Sequence, residues 1–383
     1  MLGAKSHFSL KQSILSVEDL VNEYDKFGHY YIALADLNSM SATPELFKEC
    51  KKRKMKAIIG CTFIVSDDIS WRKPKRTEKK EKPPAFFCPS LYAKNEEGFK
   101  EIMRLLSKAN DDDHFYMQAQ ISFTDLIDMG QTGNVVITSG NIDSLFAHKD
   151  FMHKATTIQR AFPKGSFVLE MPLTQTPYYQ RVAKNLINWV VKNAEPGIQL
   201  VASCPILHKS DDYKARSTMD WILSRAKHED GWRRIPSKDH EIIHWTSIRR
   251  LVKEMSISIG YSEDGAIEIS TKVDSETVDF HKNFTYEWEP MPVSLPDYGS
   301  EPLKQLVDKA SKGWKNRIES EVLGYKPPPE KLSEYKQRLK YELSVLKKMG
   351  FERYFLLVSD LTDWCRENEV LVGPGRGSVG GSL

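Results

Sequence analysis

Glycine, arginine and serine are closely spaced in the C-terminal run GPGRGSVGGSL, which follows the apolar residues 370–372. Glycine lets successive backbone N–H groups turn toward a phosphate, and two polar side chains accompany the glycines here. The hydroxyl of Ser378 is a hydrogen-bond donor, and the guanidinium of Arg376 is a forked cation that matches phosphate oxygens. The run therefore predicts a phosphate-binding loop made of Gly373, Gly375, Arg376, Gly377 and Ser378.

A nicotinamide-dependent oxidoreductase is a weaker interpretation of the same run. Residues 375–380 satisfy GxGxxG after an apolar stretch, which is the pattern of a dinucleotide-binding turn. However, Pro374 lies within the turn, and the second strand and acidic ribose ligand of that fold do not follow. The run is not a P-loop, because no lysine follows the glycines. A flexible linker would not usually hold proline and arginine between its glycines.

A metal or hydrolytic site would need acidic, histidine or cysteine side chains that converge at strand ends. The candidates are His7, Asp36, Cys61, Cys88, Glu170, Cys204 and His208. Two imidazoles on one strand face can grip one ion, but the ten histidines stand singly and the five cysteines include no CxxC pair. The sequence therefore predicts no metal centre in this chain.

The elements that would position these residues alternate between helix and strand. Over the N-terminal part, a helix that Ser16 can cap precedes a strand at 31–36, and a second helix at 43–56 precedes a strand at 57–65. Further strands are predicted at 134–140, 166–170 and 199–203, with a helix at 180–193. This alternation favours an α/β domain with parallel strands.

The remaining sequence differs from the N-terminal part in its residue patterns. The segment 241–300 contains pieces such as SISI and AIEIS that predict strands, and it ends in a proline-bearing stretch. Helices are predicted at 303–324 and 330–349, the second with apolar residues three or four positions apart. Residues 72–82, RKPKRTEKKEK, hold seven basic and two acidic side chains and form either a phosphate-contacting loop or a solvated one.

The composition is that of a soluble globular protein with more than one domain. The chain has 383 residues, 40% hydrophobic and 28% charged, and its net charge of +3 is too small to identify a nucleic-acid partner. No apolar stretch is long enough to cross a membrane, and the scattered cysteines are expected to be reduced. We therefore expect a cytoplasmic protein with no membrane partner.

Motifs at both ends of the chain resemble one known family. Residues 335–383 contain a helix ending in YELSVLKKMGF, then YFLLVSDLTDW and GPGRGS. That order and spacing resemble the palm of the C-family bacterial replicative DNA polymerases, the DNA polymerase III alpha subunits. The N-terminal part resembles the polymerase and histidinol phosphatase (PHP) domain that precedes the palm in this family. Its phrases are HFSL at 7–10, ALADLNSM at 33–40, AIIGCTFIV at 57–65, LYAKNEEGFKEIMRLLS at 91–107, SGN at 139–141, FVLEM at 167–171 and LVASCPILHKSDD at 200–212.

The resemblance implies an α/β fold in three parts. Residues 1–240 would form a PHP-type (β/α) barrel-like domain, 241–300 a connecting β-rich segment, and 301–383 the beginning of a polymerase beta-like α+β palm domain. The positions at which metal-binding members carry ligands are Gly3, Lys5, Leu37, Thr62, Cys88, Pro205 and Leu207 in this chain. Only Asp36 and Glu170 remain, so the resemblance implies a degenerate metal site and lost phosphoesterase or exonuclease activity.

The same resemblance implies a polymerase function. Gly377 and Ser378 would hold the triphosphate of the incoming nucleotide, with charge from Arg376 and turns at Gly373 and Gly375. The complete polymerase would need two Mg²⁺ ions, whose carboxylate ligands lie beyond this loop in the family. This chain is therefore expected to contain no catalytic residue, to bind no cofactor and to be inactive alone.

The expected partners follow from that function. They are primer-template DNA, deoxynucleoside triphosphates, a second polymerase chain or missing C-terminal portion, a clamp and a proofreading subunit. The alternative is a non-catalytic PHP scaffold or interaction module of a split or truncated replicase. A PHP hydrolase ranks below both, and the oxidoreductase ranks last.

Overall fold

The described chain forms two compact units. The computed structural model describes residues 1–72, 82–209, 212, 214–216, 218–219, 241–290, 294–319 and 327–373. The first unit spans Met1–Pro290 and the second Met291–Leu383. Most of the basic run at 72–82 lies outside the described residues, so both interpretations of that run stay predictions.

Within the described residues of the first unit, seven strands close into a barrel in the order β1-β10-β9-β8-β6-β3-β2. The strands are β1 (Leu2–Ala4), β2 (Tyr31–Leu37), β3 (Lys56–Thr62), β4 (Val65–Ser66), β5 (Phe86–Phe87), β6 (Ser90–Ala93), β7 (Ile121–Ser122), β8 (Val135–Thr138), β9 (Phe167–Pro172) and β10 (Gln199–Ile206). Strands β4, β5 and β7 form a small separate sheet. In the barrel, only β6 runs antiparallel to its neighbours among the described pairings. The predicted α/β barrel is thereby confirmed.

Helices connect the barrel strands. They are α1 (Val17–Lys26), α2 (Thr43–Lys52), α3 (Glu96–Ala109), α4 (Phe123–Asp128), α5 (Phe151–Ala161) and α6 (Pro177–Asn193). Ser16 caps α1 as predicted, because its hydroxyl accepts a hydrogen bond of 3.0 Å from the backbone N–H of Asp19. Helix α2 is shorter than the predicted 43–56, since Lys56 already begins β3.

Apolar side chains fill the middle of the barrel. Because side chains alternate along a strand, Tyr31, Ala33 and Ala35 of β2 point to one face, and all three belong to a cluster with residues of the other strands. The other strand residues in this cluster are Leu2, Ile58, Tyr92, Val136, Val168 and Val201. Phe280 and Phe284, from a later part of the chain, pack against them.

The segment predicted to be β-rich is helical. It forms α7 (Ile248–Ser258) and α8 (Glu263–Asp279), so the expectation of strands within 241–300 is wrong. β-Branched residues misled the prediction, but Ser262 caps α8 by accepting from the N–H of Gly265, at 3.2 Å. The buried residues of α8 follow a helical period at positions 266, 270, 273 and 277. The first unit extends to Pro290, and the predicted three-part domain division otherwise stays a prediction.

Helix α8 is fastened to the barrel through β10. Strand β1 has only three residues. Side chains of α8 accept hydrogen bonds from two backbone N–H groups of β10, the neighbour of β1. The N–H of Leu200 donates to the carboxylate of Glu276 at 2.5 Å, and that of Ala202 donates to the hydroxyl of Thr277 at 2.9 Å. The α8 side chains thus extend the hydrogen bonding of the barrel wall.

The second unit contains three described helices and a π-helical turn. They are α9 (Pro302–Gly313), the turn Trp314–Glu319, α10 (Pro329–Met349) and α11 (Glu352–Glu367). Helix α10 ends as predicted, at Gly350 with φ +71°. The ammonium of Lys309 joins α9 to α11 through the carboxylates of Asp360, at 2.5 Å, and Asp363, at 3.3 Å. In the described part of the chain, no helix is long and apolar enough to cross a membrane.

We predict that Phe280→Ala lowers the free energy of unfolding of the first unit by about 3–5 kcal/mol, because it opens a cavity among packed aromatic rings. Urea denaturation measures this change. Ile267→Ala is the matched control, since Ile267 lies on α8 with an exposed side chain. Equal effects of the two substitutions would contradict the packing of Phe280 inside the barrel.

Candidate functional site

Polar side chains collect where the parallel barrel strands end. Asp36 lies near the end of β2, Thr62 ends β3, Thr138 ends β8, and Glu170 lies near the end of β9. Lys5 follows β1 directly. The carboxyl ends of parallel strands are the usual location of ligand sites in α/β folds, so this end of the barrel is the first candidate site.

The ammonium of Lys5 occupies the centre of this polar end. The side chain is only 4% exposed. Its Nζ donates to the carbonyl oxygen of Ala35, at 2.5 Å, and to the hydroxyl of Thr62. The hydroxyl of Thr62 also lies 2.7 Å from that of Ser90 on β6. The space left beside Lys5 is about 10 Å³, enough for about one water.

Asp36 is surrounded by hydrogen-bond donors from the loop that follows Lys5. One carboxylate oxygen accepts from the backbone N–H of Ser6, at 2.7 Å, and from the hydroxyl of Ser9, at 2.6 Å. The other accepts from the hydroxyl of Ser6, at 2.6 Å. The carboxylate is buried, and these donors supply the polar contacts that water would otherwise make.

Glu170 is held by hydroxyl groups of the two neighbouring strands. The hydroxyls of Thr138 and Ser203 donate to its two carboxyl oxygens, the second at 2.5 Å. The amide of Asn141 donates to Ser203 at 2.9 Å and thereby orients that hydroxyl. Burial raises the pKa of Glu170 above its ordinary value, while its hydrogen bonds and the Lys5 ammonium act in the opposite direction.

Burial lowers the pKa of Lys5 from its ordinary value, and four neighbouring groups act to raise it. Those groups are Asp36, Cys88, Cys61 and Glu170. Four of the seven side chains proposed from sequence therefore act electrostatically on one ammonium. Burial raises the pKa of Cys61 to about 12, so its thiol is protonated at neutral pH.

The other three proposed residues point elsewhere. His7 is exposed and its Nδ1 lies 3.3 Å from the carbonyl oxygen of Leu15. Cys204 is buried with its sulfur 3.7 Å from the hydroxyl of Thr174. The Nδ1 of His208 lies 2.8 Å from the carbonyl oxygen of Lys209. Sequence reasoning missed the hydroxyl residues that hold Glu170, although each ends an apolar strand run, in VVIT and LVAS.

The residues at this end do not fit a metal ion. Over the described ranges, no group of three or more His, Cys, Asp or Glu side chains is placed to hold one. Gly3 has φ +102°, and a Cβ there would lie 2.1 Å from the carbonyl oxygen of Cys204. No ligating side chain fits at that position without a backbone shift, and Lys5 places an ammonium beside the hydroxyl of Thr62.

The predicted phosphate-binding loop lies almost entirely outside the described residues. Gly375, Arg376, Gly377 and Ser378 fall there, and only Gly373 is described. Residues 370–372, which precede the run, form no strand in the structure, and Leu371 is 99% exposed. A strand needs a neighbour that pairs with it.

Helix α11, which precedes the loop, carries an exposed apolar stripe formed by Tyr354, Leu357, Val358, Leu361 and Trp364. These residues are three or four positions apart, which is the spacing of one helix face. Leu361 is 61% exposed and Trp364 57% exposed. No residue of α10 in its described range is buried. Amphipathic helices usually bury such a face.

Comparisons with known proteins agree with both motif sets. Residues 2–173 match the PHP domain family, and residues 304–383 match the family described as bacterial DNA polymerase III alpha NTPase domain. The chain is 27% identical to DNA polymerase III subunit alpha of Yersinia pestis, over 100% of this chain and 33% of that protein. The proteins of the same name from Aquifex aeolicus and Bacillus subtilis are 25% and 26% identical, over 100% of this chain and 32% and 31% of theirs. The chain spans about a third of the length of these curated relatives.

We predict that Glu170→Gln changes how stability depends on pH. The folded-state pKa of Glu170 is raised, so its proton contributes stability that is fully present below the unfolded pKa and is lost as pH rises through the folded pKa. The stability of the unchanged chain relative to Glu170→Gln should therefore fall as pH rises from about 4.5, by about 1.4 kcal/mol for each unit of pKa difference. Urea denaturation of both proteins across pH measures it. A difference that stays constant with pH would refute the raised pKa.

Proposed function

Because this chain is a relative of the bacterial DNA polymerase III alpha subunits over its whole length, we propose that it is the N-terminal portion of a DNA-directed DNA polymerase. The observation that carries the proposal is the pairing, in one chain, of a PHP domain match with a match to the NTPase domain of that polymerase. Its substrates are primer-template DNA and deoxynucleoside triphosphates.

The glycine run contributes the triphosphate contacts of the proposed polymerase. The backbone N–H groups of Gly377 and Ser378 and the hydroxyl of Ser378 bind phosphate oxygens, and Arg376 supplies positive charge beside them. Gly373 and Gly375 allow the turn. Such contacts position the nucleotide and stabilise the charge that develops on its phosphates during transfer.

The remaining polymerase portion supplies the chemistry that this loop lacks. In the complete enzyme, carboxylates of that portion would hold Mg²⁺ ions, which would supply positive charge to the attacking and leaving oxygens. The relatives are about three times as long as this chain, which leaves ample sequence for those ligands. This chain binds the nucleotide side of the site and needs the other portion for primer extension.

The exposed stripe of α11 supports contact with that portion. Across its described residues, the second unit buries only a few large apolar side chains, among them Leu306, Trp314 and Leu356. A unit of this size gains too little from such a core to hold its helices together alone. We therefore infer that the stripe packs against the rest of the polymerase domain, whether joined to this chain or carried by a second chain.

We predict that Arg376→Ala lowers nucleotide incorporation about a hundredfold and Ser378→Ala about tenfold, because each removes a contact to phosphate oxygens. The test joins this chain to the unmatched two thirds of the Yersinia pestis relative and measures primer extension, with kcat and KM for the nucleotide. Ser382→Ala is the matched control, since this serine is not among the proposed contacts.

Two outcomes would count against the proposal. A folded chimera that binds primer-template DNA but does not extend it would contradict the polymerase assignment. Normal extension by Arg376→Ala and Ser378→Ala would contradict the role of the loop while leaving the polymerase assignment in place.

We predict that Leu361→Glu with Trp364→Glu lowers the affinity for the remaining polymerase portion at least a hundredfold, because burying a carboxylate without a partner is costly. Sedimentation of the two separate polypeptides measures the complex. Val191→Glu is the control, since Val191 is an isolated exposed apolar residue on α6. Equal binding by both variants would contradict the docking surface, and self-association that the double variant abolishes would assign the stripe to a second copy instead.

A further inference from the structure

The barrel end contains a cation that is part of the chain itself. The Lys5 ammonium is buried, and its two hydrogen-bond acceptors are neutral oxygens, the carbonyl of Ala35 and the hydroxyl of Thr62. Oxygen atoms of this kind are the ligands that hard cations take in proteins. The Lys5 ammonium therefore joins the end of β1 to oxygen atoms of β2 and β3.

Two buried carboxyl groups lie at the same end of the barrel. Asp36 and Glu170 each act electrostatically on Lys5, yet each makes its own hydrogen bonds to serine and threonine side chains. Since a buried charge is costly unless compensated, the ammonium and the carboxyl groups depend on each other.

The Lys5 side chain, which attaches the ammonium to the chain, limits what else can enter the barrel end. Lys5 reaches the site from the end of β1, and the space left beside it is about 10 Å³. That volume holds about one water and is smaller than a hydrated ion or a phosphoester. Gly3, two residues earlier, has no room for a side chain that could bind an ion.

We propose that the Lys5 ammonium is a built-in structural cation, which takes the place of a bound ion and holds the carboxyl end of the barrel together. The barrel end then needs no bound metal ion to hold its strands together. The inference concerns the PHP-like barrel alone, so it stands or falls independently of the proposed polymerase function.

The test deletes the Lys5 side chain beyond Cβ and supplies a free ammonium ion in solution. Lys5→Ala should raise the equilibrium constant of unfolding about a hundredfold, because it leaves the carboxyl groups uncompensated. Propylammonium replaces the deleted atoms, and about 0.5 M of it should lower that constant about tenfold, as for a ligand with a Kd of about 50 mM. Equal concentrations of 1-propanol with sodium chloride should not do so, because the alcohol carries no charge.

The matched control is Lys154→Ala. Lys154 is also a buried lysine, with its ammonium 3.0 Å from the carboxylate of Asp67 on the outside of the barrel. Water can reach the partly exposed Asp67 carboxylate once Lys154 is removed, so propylammonium should restore this variant less than it restores Lys5→Ala. If propylammonium and 1-propanol act equally on Lys5→Ala, the proposal is wrong.

A length-matched variant and the unchanged protein keep the proposal testable even if Lys5→Ala does not fold. Lys5→Met keeps an unbranched side chain of similar length without the charge. If this variant were as stable as the unchanged protein, the proposal would be overturned. Side-chain ¹⁵N NMR of the unchanged protein should show an ammonium signal that is protected from exchange and that is lost in Lys5→Met. A neutral amine at pH 7, or stoichiometric Mn²⁺ binding that Glu170→Gln abolishes, would likewise overturn it.

Discussion

Compensation of buried charge at the carboxyl end of the barrel constrains the rest of the first unit. One ammonium and two carboxyl groups are removed from water there, and hydrogen bonds from Ser6, Ser9, Thr138 and Ser203 replace the lost hydration. Each of these hydroxyls must sit at a fixed strand end or in the loop after β1. The polar network therefore fixes strand register, since a shift by one residue would turn each side chain to the other face.

The opposite demand operates in the rest of the barrel interior, which is apolar. There the side chains must fill the available volume. Phe280 and Phe284, which follow α8, fill part of it. Side chains of α8 also accept N–H groups of β10. A barrel whose first strand is three residues long thus depends on a segment more than 200 residues later, which explains why the compact unit continues to Pro290.

Sequence patterns predicted the local features of this architecture better than the long-range ones. The strands at 31–37, 167–172 and 199–206 follow from short apolar runs, and the bounds of α10 follow from its period and the glycine after it. The helices at 248–279 were mistaken for strands because β-branched residues there resemble strand pieces, whereas burial against the barrel decides in favour of helix. The contact of Lys5 with Thr62 joins residues 57 positions apart, and no local pattern encodes such a contact.

The two units differ in what their surfaces imply about where chemistry occurs. At the barrel end, the polar side chains use their hydrogen-bonding groups on one another and on the backbone. Little space is left there for a substrate. In the second unit, apolar side chains of α11 face outward and Leu371 precedes the glycine run almost fully exposed. A closed polar site stabilises a fold, while an exposed apolar face such as that of α11 is the kind of surface that a further protein surface covers. Under the proposed function, the barrel is the structural part of this chain and the glycine run contributes to nucleotide binding.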